Sequence, residues 1–86
     1  MYEVILDDEA DDFFQRASPP LARKLGRCFR QLEQTPRRHS NIKRLAGPFH
    51  GYLRYRVGDY RVIYRIEEAA KQVRVVDIAH RRESYD

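Results

Sequence analysis

Two short runs of alternating residues, Tyr52 to Val57 and Tyr60 to Arg65, are separated only by Gly58 and Asp59, and that spacing leaves the chain few choices. Aromatic, β-branched and arginine residues at period two read as strands. A two-residue Gly-X connection reads as a primed hairpin turn in which glycine supplies a positive φ. Such a loop sets Val57 opposite Tyr60, Arg56 opposite Arg61, Tyr55 opposite Val62, Arg54 opposite Ile63 and Leu53 opposite Tyr64. One face of the predicted hairpin then carries Leu53, Tyr55, Val57, Tyr60, Val62, Tyr64 and Ile66. The other carries Arg54, Arg56, Arg61 and Arg65, with Tyr52 and Ile63 among them.

Like charges facing each other across two strands are destabilising. Arg56 opposite Arg61 therefore predicts an anion between them, whereas an ordinary solvated face would let the long stems splay over apolar surface. Four arginines on one face of two strands exceed what solubility needs and match a polyanion-binding surface.

A chain of 86 residues buries one modest core, and residues 1–86 read as a single domain. No run approaches the roughly 18 apolar residues of a membrane-spanning helix, and the first residues lack the basic and apolar segments of a secretion signal. The sequence reads as cytoplasmic, with no membrane partner. The net charge of +4 conceals a division, because six of the 13 acidic residues fall within the first 14 positions and all 17 lysines and arginines follow them. A strongly basic body implies a phosphate-rich partner or an acidic protein. Cys28 is the single cysteine, so no intrachain disulfide forms, and it falls on the apolar face of a predicted helix. His39, His50 and His80 match no local metal-ligand spacing, and neither a metal nor another cofactor is predicted.

Tyr2, Val4 and Leu6 alternate with Glu3 and Ile5 as a short first strand. Asp7 then stands at a helix N-cap, with Asp8, Glu9, Asp11 and Asp12 near the positive end of the helix dipole, which accounts for these carboxylates without catalysis. Ala10, Phe13, Phe14 and Ala17 form its core stripe. Ser18-Pro19-Pro20 ends this helix and caps a second, whose apolar stripe is Leu21, Leu25, Cys28, Phe29 and Leu32 and which stops near Thr35-Pro36. Residues 37 to 51 are predicted to be a polar connection, long for a structureless loop, anchored by Leu45 and Phe49. After the hairpin and a turn at residues 67 to 71, Val73 to Ala79 forms a last strand, apolar on both faces and so central, which empties into a polar tail. The predicted fold is α+β in the order β-α-α-β-β-β, two N-terminal helices on a small, mostly antiparallel four-stranded sheet.

Arg54, Arg56 and Arg61 of the hairpin with His80, Arg81 and Tyr85 of the tail offer phosphate clamps and groups that move protons. RNA can be cut without metal when its 2′-OH attacks the adjacent phosphorus. That step needs a base, cationic donors for the developing charge and an acid for the leaving 5′-oxygen. An imidazole exchanges protons near neutrality and cationic neighbours favour its neutral form, so His80 suits the base. Tyr85 fits the same role where cations lower its pKa, or it stacks on a nucleobase.

The Arg-Val-Gly-Asp-Tyr-Arg-Val-Ile-Tyr block at 56 to 64, the Ile-Ala-His-Arg-Arg-Glu-Ser-Tyr ending at 78 to 85 and the element order closely resemble the RelE/ParE superfamily of bacterial and archaeal toxins. The resemblance covers essentially the whole chain. It implies a microbial-RNase-like toxin domain paired with a RelB-like antitoxin through an acidic segment, in a toxin–antitoxin heterotetramer for some members. RelE-type members cleave mRNA in the ribosomal A site, leaving a cyclic phosphate and inhibiting translation. By position, Arg61 matches the arginine that holds the scissile phosphate, Arg81 the late arginine near the leaving group, and Tyr85 the tail tyrosine near the nucleophile. Arg54 stands where the ribosome-dependent archetype has a lysine, and His80 at a position that is basic or histidine in active members. Tyr52 replaces another lysine of that archetype, which shifts the base role toward His80. Arg23, Lys24, Arg27, Arg30, Lys43, Arg44 and Arg65 are the expected RNA- and ribosome-facing cations. ParE-type members share the scaffold but poison DNA gyrase without cutting RNA, and a non-enzymatic RNA-binding module is a third reading. Loss of Arg81 and Tyr85 separates these, since it should abolish cutting and spare charge-driven binding.

Overall fold

The computed structural model describes residues 1–83. Strand β1 spans Glu3–Leu6, helix α1 Asp8–Arg16, helix α2 Pro19–Gln34, strand β2 Ile42–Arg44, β3 Leu53–Val57, β4 Tyr60–Glu67 and β5 Gln72–His80, with single 3-10 turns at Gly47–Phe49 and Arg81–Glu83. The strands form one sheet in the order β1-β5-β4-β3-β2. β1 runs parallel to β5, and every other pairing is antiparallel.

The hairpin has the register its spacing requires, with Arg56 opposite Arg61 and Val57 opposite Tyr60. Gly58 sits at φ 58°, where a side chain would be strained, and this lets two residues close the turn. The sheet has five strands where four were predicted, because Ile42–Arg44 pairs with β3. Three residues, two of them charged, carry no periodic signal, and charged residues on a short edge strand discourage further pairing.

Both helices pack on the face formed by Leu53, Tyr55, Val57, Val62, Tyr64, Val73, Val75 and Ile78, and Ala10, Leu25, Cys28 and Leu32 complete the buried core. The apolar stripes of the two helices dictate this docking. Ser18 accepts a hydrogen bond from the Leu21 N–H at 3.5 Å, and Pro19 and Pro20 occupy the first turn of α2. Asp7 takes the N-cap position of α1 but makes no side-chain cap. Its carboxylate accepts from Arg74 Nη1 at 2.8 Å instead, a charge-assisted bond stronger than a neutral one. Tyr64 is fully buried and its hydroxyl donates to the Pro36 carbonyl at 2.7 Å, tying the end of α2 to the sheet. Burial pushes both the Tyr64 phenol and the Cys28 thiol well up, so Cys28 is an inert core residue. No helix is long and apolar enough to cross a membrane among the described residues.

β5 contains the irregularity that matters for the site. Ile63 pairs with Asp77 while the next residue, Tyr64, pairs with Val75, so Val76 is an extra residue in the strand. A one-residue bulge inverts the alternation beyond it. Ile78 and His80 therefore join the helix side with Val73 and Val75, and Asp77 and Ala79 point to the other face.

Candidate functional site: the arginine face of the sheet

Register places the basic side chains of the face turned away from the helices in cross-strand rows. One row is Arg56, Arg61 and Ala79; the next, two residues along each strand, is Lys43, Arg54, Ile63 and Asp77. Same-face residues two apart along a strand lie about 7 Å from each other, so four cations from three strands converge on one patch. The Arg56 row contains no acidic residue and ends on Ala79, which is 1% exposed. Arg61 is half-buried, with Nε and Nη1 shielded from solvent.

The loop before β2 anchors this patch. Arg54 Nη1 donates to the Asn41 carbonyl at 2.7 Å, and the same carbonyl accepts the Arg56 N–H at 3.0 Å. Asn41 Nδ2 donates to the Arg56 carbonyl at 3.1 Å, while the Asn41 N–H donates to His39 Nδ1 at 3.1 Å. The His39 ring stacks on Tyr55 with centroids 5.1 Å apart. The Asn41 carbonyl thus bonds the guanidinium of Arg54, and His39 in turn orders Asn41. Neither residue stood out in the sequence, since a lone Asn in a polar loop has no pattern around it.

Arg65, at the other end of the face, is differently placed. It lies opposite Arg74 in register, and Glu67 Oε1 lies 3.4 Å from Arg65 Nη2 and 3.2 Å from Arg74 Nε. Between the two ends, a cavity of about 380 Å³ is lined by Pro48, Phe49, Tyr52 and Ile63, with Glu9, Val76 and Asp77 completing the wall. Phe49 and Tyr52 give it aromatic surface of the kind that stacks an unpaired base.

The tail begins beside the hairpin turn. The Arg81 N–H donates to the Asp59 carbonyl at 2.8 Å, and its guanidinium lies 3.7 Å from the Asp59 carboxylate, both side chains being largely exposed. Asp59, read in the sequence only as a turn residue, therefore fixes where the chain leaves the sheet. His80 lies across the sheet from the arginine rows. It pairs with Tyr60, its ring meets the Tyr60 ring edge-on at 5.3 Å, and Tyr60 in turn touches Phe13 of α1 at 5.5 Å. His80 Nδ1 accepts the Arg82 N–H at 3.3 Å, so in the neutral ring Nε2 carries the proton. Tyr85 lies outside the described residues. Lys43 joins the arginine patch, whereas Arg44 faces the helix side opposite Leu53. Arg23, Arg27 and Arg30 lie exposed on α2, with Lys24 also exposed.

Residues 4–85 match the family model of the ParE toxin of type II toxin–antitoxin system, parDE. A chain of the RelBE2 toxin–antitoxin complex from Mycobacterium tuberculosis superposes with a TM-score of 0.81 at 25% identity, covering 93% of this chain and 98% of that one. The archaeal RelE–RelB complex from Pyrococcus horikoshii OT3 contains a chain with a TM-score of 0.81 at 24% identity, covering 96% and 98%. The intact E. coli RelBE complex contains one with a TM-score of 0.78 at 17% identity, covering 93% and 96%. No match is found among curated proteins. The fold and its basic sheet face define a toxin of the RelE/ParE superfamily. Within that superfamily, the chain belongs to the ParE toxin family of type II toxin–antitoxin systems.

Proposed function

We propose that this toxin is a ribosome-dependent, metal-independent endoribonuclease that cuts mRNA in the A site. The observation that carries the reading is the facing pair Arg56 and Arg61 beside Arg54 and Lys43 on one sheet face. In the proposed step the 2′-OH oxygen attacks the adjacent phosphorus, the bond from phosphorus to the 5′-oxygen breaks, and a 2′,3′-cyclic phosphate remains. Arg61 and Arg56 bind the phosphate oxygens, and Arg54, steadied by Asn41, meets the charge that develops on them. Arg81, beside the turn, stabilises the departing 5′-oxygen as it takes up a proton. We assign the base that accepts the 2′-OH proton to Tyr85. His80 lies on the opposite side of the sheet with its Nδ1 lone pair engaged, and we give it the role of setting the direction of the tail.

Lys43, Arg44 and the α2 cations Arg23, Lys24, Arg27 and Arg30 would meet ribosomal RNA phosphates, and Arg65, shared with Glu67, would contribute least. A RelB-like antitoxin with an acidic segment is the proposed cellular partner, in a heterotetramer, supported by the toxin–antitoxin complexes in which the similar chains occur. The cytoplasm is the proposed location.

The test is to incubate the purified toxin with mRNA, free and on ribosomes with an empty A site, with a divalent-ion chelator in the free-RNA arm, and to map the ends. Cuts at A-site codons on ribosomes, with cyclic-phosphate ends lost on Arg81→Ala, support the nuclease. A second reading, a DNA gyrase inhibitor without nuclease activity, is favoured by the ParE family match and by the separation of His80 from the arginines. Gyrase-dependent DNA breaks with intact mRNA would establish it.

A further inference from the structure

Strand β5 carries an acid onto the basic face of the sheet, and its bulge is the reason. Continuous alternation from Val73 and Val75 would turn Asp77 toward the helices, and the extra residue at Val76 turns it to the side of the arginines instead. There Asp77 ends the row of Lys43, Arg54 and Ile63, and it is the diagonal neighbour of Arg61, about 7–8 Å away. A carboxylate in that position weakens the pull of the face on a polyanion, so phosphate binding alone does not account for it. The side chain is held in place, because its Oδ1 accepts the Ile78 N–H at 2.9 Å. An ionised carboxylate has about four lone-pair sites, and this bond uses one of them. Asp77 and the exposed Glu9 of α1 line the cavity of about 380 Å³ whose aromatic wall is Phe49 and Tyr52. Ile63, 1% exposed, supplies apolar surface beside them. The volume lies within the range of small-ligand pockets, roughly 300–1,000 Å³.

We propose that this cavity is a nucleobase pocket that selects guanine, with Phe49 and Tyr52 stacking the ring and Asp77 and Glu9 reading its amino edge. The pocket rests on the reading of the arginine face as the surface that holds single-stranded RNA, and it adds which base that strand presents there. Stacking alone holds any base, since every base has a π face. The carboxylates supply the choice. The Watson–Crick edge of guanine offers two adjacent donors, N1–H and an N2–H, which match the two oxygens of one carboxylate. Adenine and cytosine each set their amino group beside a ring nitrogen that is itself an acceptor, so a carboxylate gains one bond and meets one lone pair. Uracil offers a single N–H between two carbonyl oxygens and is the poorest fit. A phosphate on Arg61 and a base edge at Asp77 stand apart by about the span of one nucleotide. A lysine or arginine side chain of a protein partner would also suit aromatic rings beside carboxylates. It is the poorer candidate, because Arg54, Arg56 and Arg61 on the same face repel it.

The experiment measures binding of the full chain to short oligomers of 2′-deoxyuridine whose central base is guanine, adenine, cytosine or uracil. These strands lack the 2′-OH and cannot be cut by the proposed step, so base selection is read whether or not the toxin is a nuclease. The guanine oligomer should bind about tenfold or more tighter than the uracil one, with adenine and cytosine between them. Hypoxanthine, which is guanine without its amino group, should lose several-fold of that advantage. Asp77→Asn keeps an oxygen for the Ile78 N–H and replaces the other by a donor. The guanine-to-uracil ratio should then fall to about twofold or less, while the uracil oligomer binds at least as well as it does to the parent. Glu9→Gln, at an exposed position, should lower the ratio by a smaller factor. Tyr52→Leu should weaken all four strands by about tenfold, and Arg61→Gln should weaken all four as well, each with the ratio kept. Equal binding of the four bases by the parent, binding of none of them, or a ratio unchanged by Asp77→Asn would overturn the pocket. Displacement of the guanine oligomer by free arginine at lower concentration than by guanosine 5′-monophosphate would also overturn it, in favour of a basic protein side chain. A guanine preference with mRNA left intact on ribosomes would uphold the pocket and remove the nuclease reading, and A-site cuts with equal binding of the four bases would do the reverse.

Discussion

Two pairs of arginines face each other across the same side of the sheet, Arg65 with Arg74 and Arg56 with Arg61, and their rows differ in composition. Arg65 and Arg74 share Glu67, and Arg74 also binds Asp7 at 2.8 Å, so this end is a structural ion network. Arg56 and Arg61 stand in a row with no acidic residue, and the neighbouring Arg54 is steadied by a carbonyl. One pair is bridged by a carboxylate of its own strand, and the other lies in a row that itself contributes no acid. In the proposed function the first pair serves stability and the second binding.

Several variants break or sharpen that contrast. The largest effect is expected from Arg61→Gln, which should lower A-site cleavage by about 10² to 10³-fold, as loss of one donor to developing charge typically does. A circular dichroism melt of the same variant separates that loss from any change in stability. Asn41→Ala removes the hydrogen bond that the side-chain amide donates to the Arg56 carbonyl and loosens the turn that holds Arg54. Cleavage is expected to fall about tenfold through the rate rather than through ribosome affinity, because a small misplacement of a positioned group costs rate. Single-turnover kinetics on ribosomes would separate the two.

Glu67→Gln acts on the other pair. Removing the acid that Arg65 and Arg74 share should cost about 1 kcal/mol of stability, measured by urea unfolding, and leave cleavage within about twofold. Loss of stability with cleavage intact contrasts with Arg61→Gln, where cleavage is expected to fall most. The smallest effect concerns Glu68, whose carboxyl is held down at about 2 by hydrogen bonds from Lys71, Tyr2 and Arg37. A carboxyl lowered in the folded state contributes stability above its unfolded pKa, and that contribution is lost as pH falls through the folded value. The parent should therefore melt slightly above Glu68→Gln at neutral pH, and the gap should close between about pH 4.5 and 2.

The hairpin was legible because period-two alternation and a Gly-Asp turn fix the register with no help from the rest of the chain. The helices were legible for the same kind of reason, their stripes and the Ser18-Pro19-Pro20 boundary being local signals. What local reading could not supply came from distant partners. β2 exists because β3 offers an edge, and Asp7 leaves its capping role because Arg74 approaches from β5. The bulge at Val76 had the largest consequence. Continuous alternation from Val73 would put His80 on the arginine side, and one extra residue moves it to the side of Tyr60. Nothing in Val75-Val76-Asp77 distinguishes a bulge from a strand covered on both faces.

The most direct measurement compares Arg56→Gln, Arg61→Gln and Arg65→Gln in parallel, counting mapped mRNA ends on ribosomes with an empty A site. The account predicts that Arg56→Gln and Arg61→Gln nearly eliminate the cyclic-phosphate ends while Arg65→Gln, at the pair closed by Glu67, retains them close to the parent level. Equal losses from all three, or mRNA left intact by the parent itself, would contradict it.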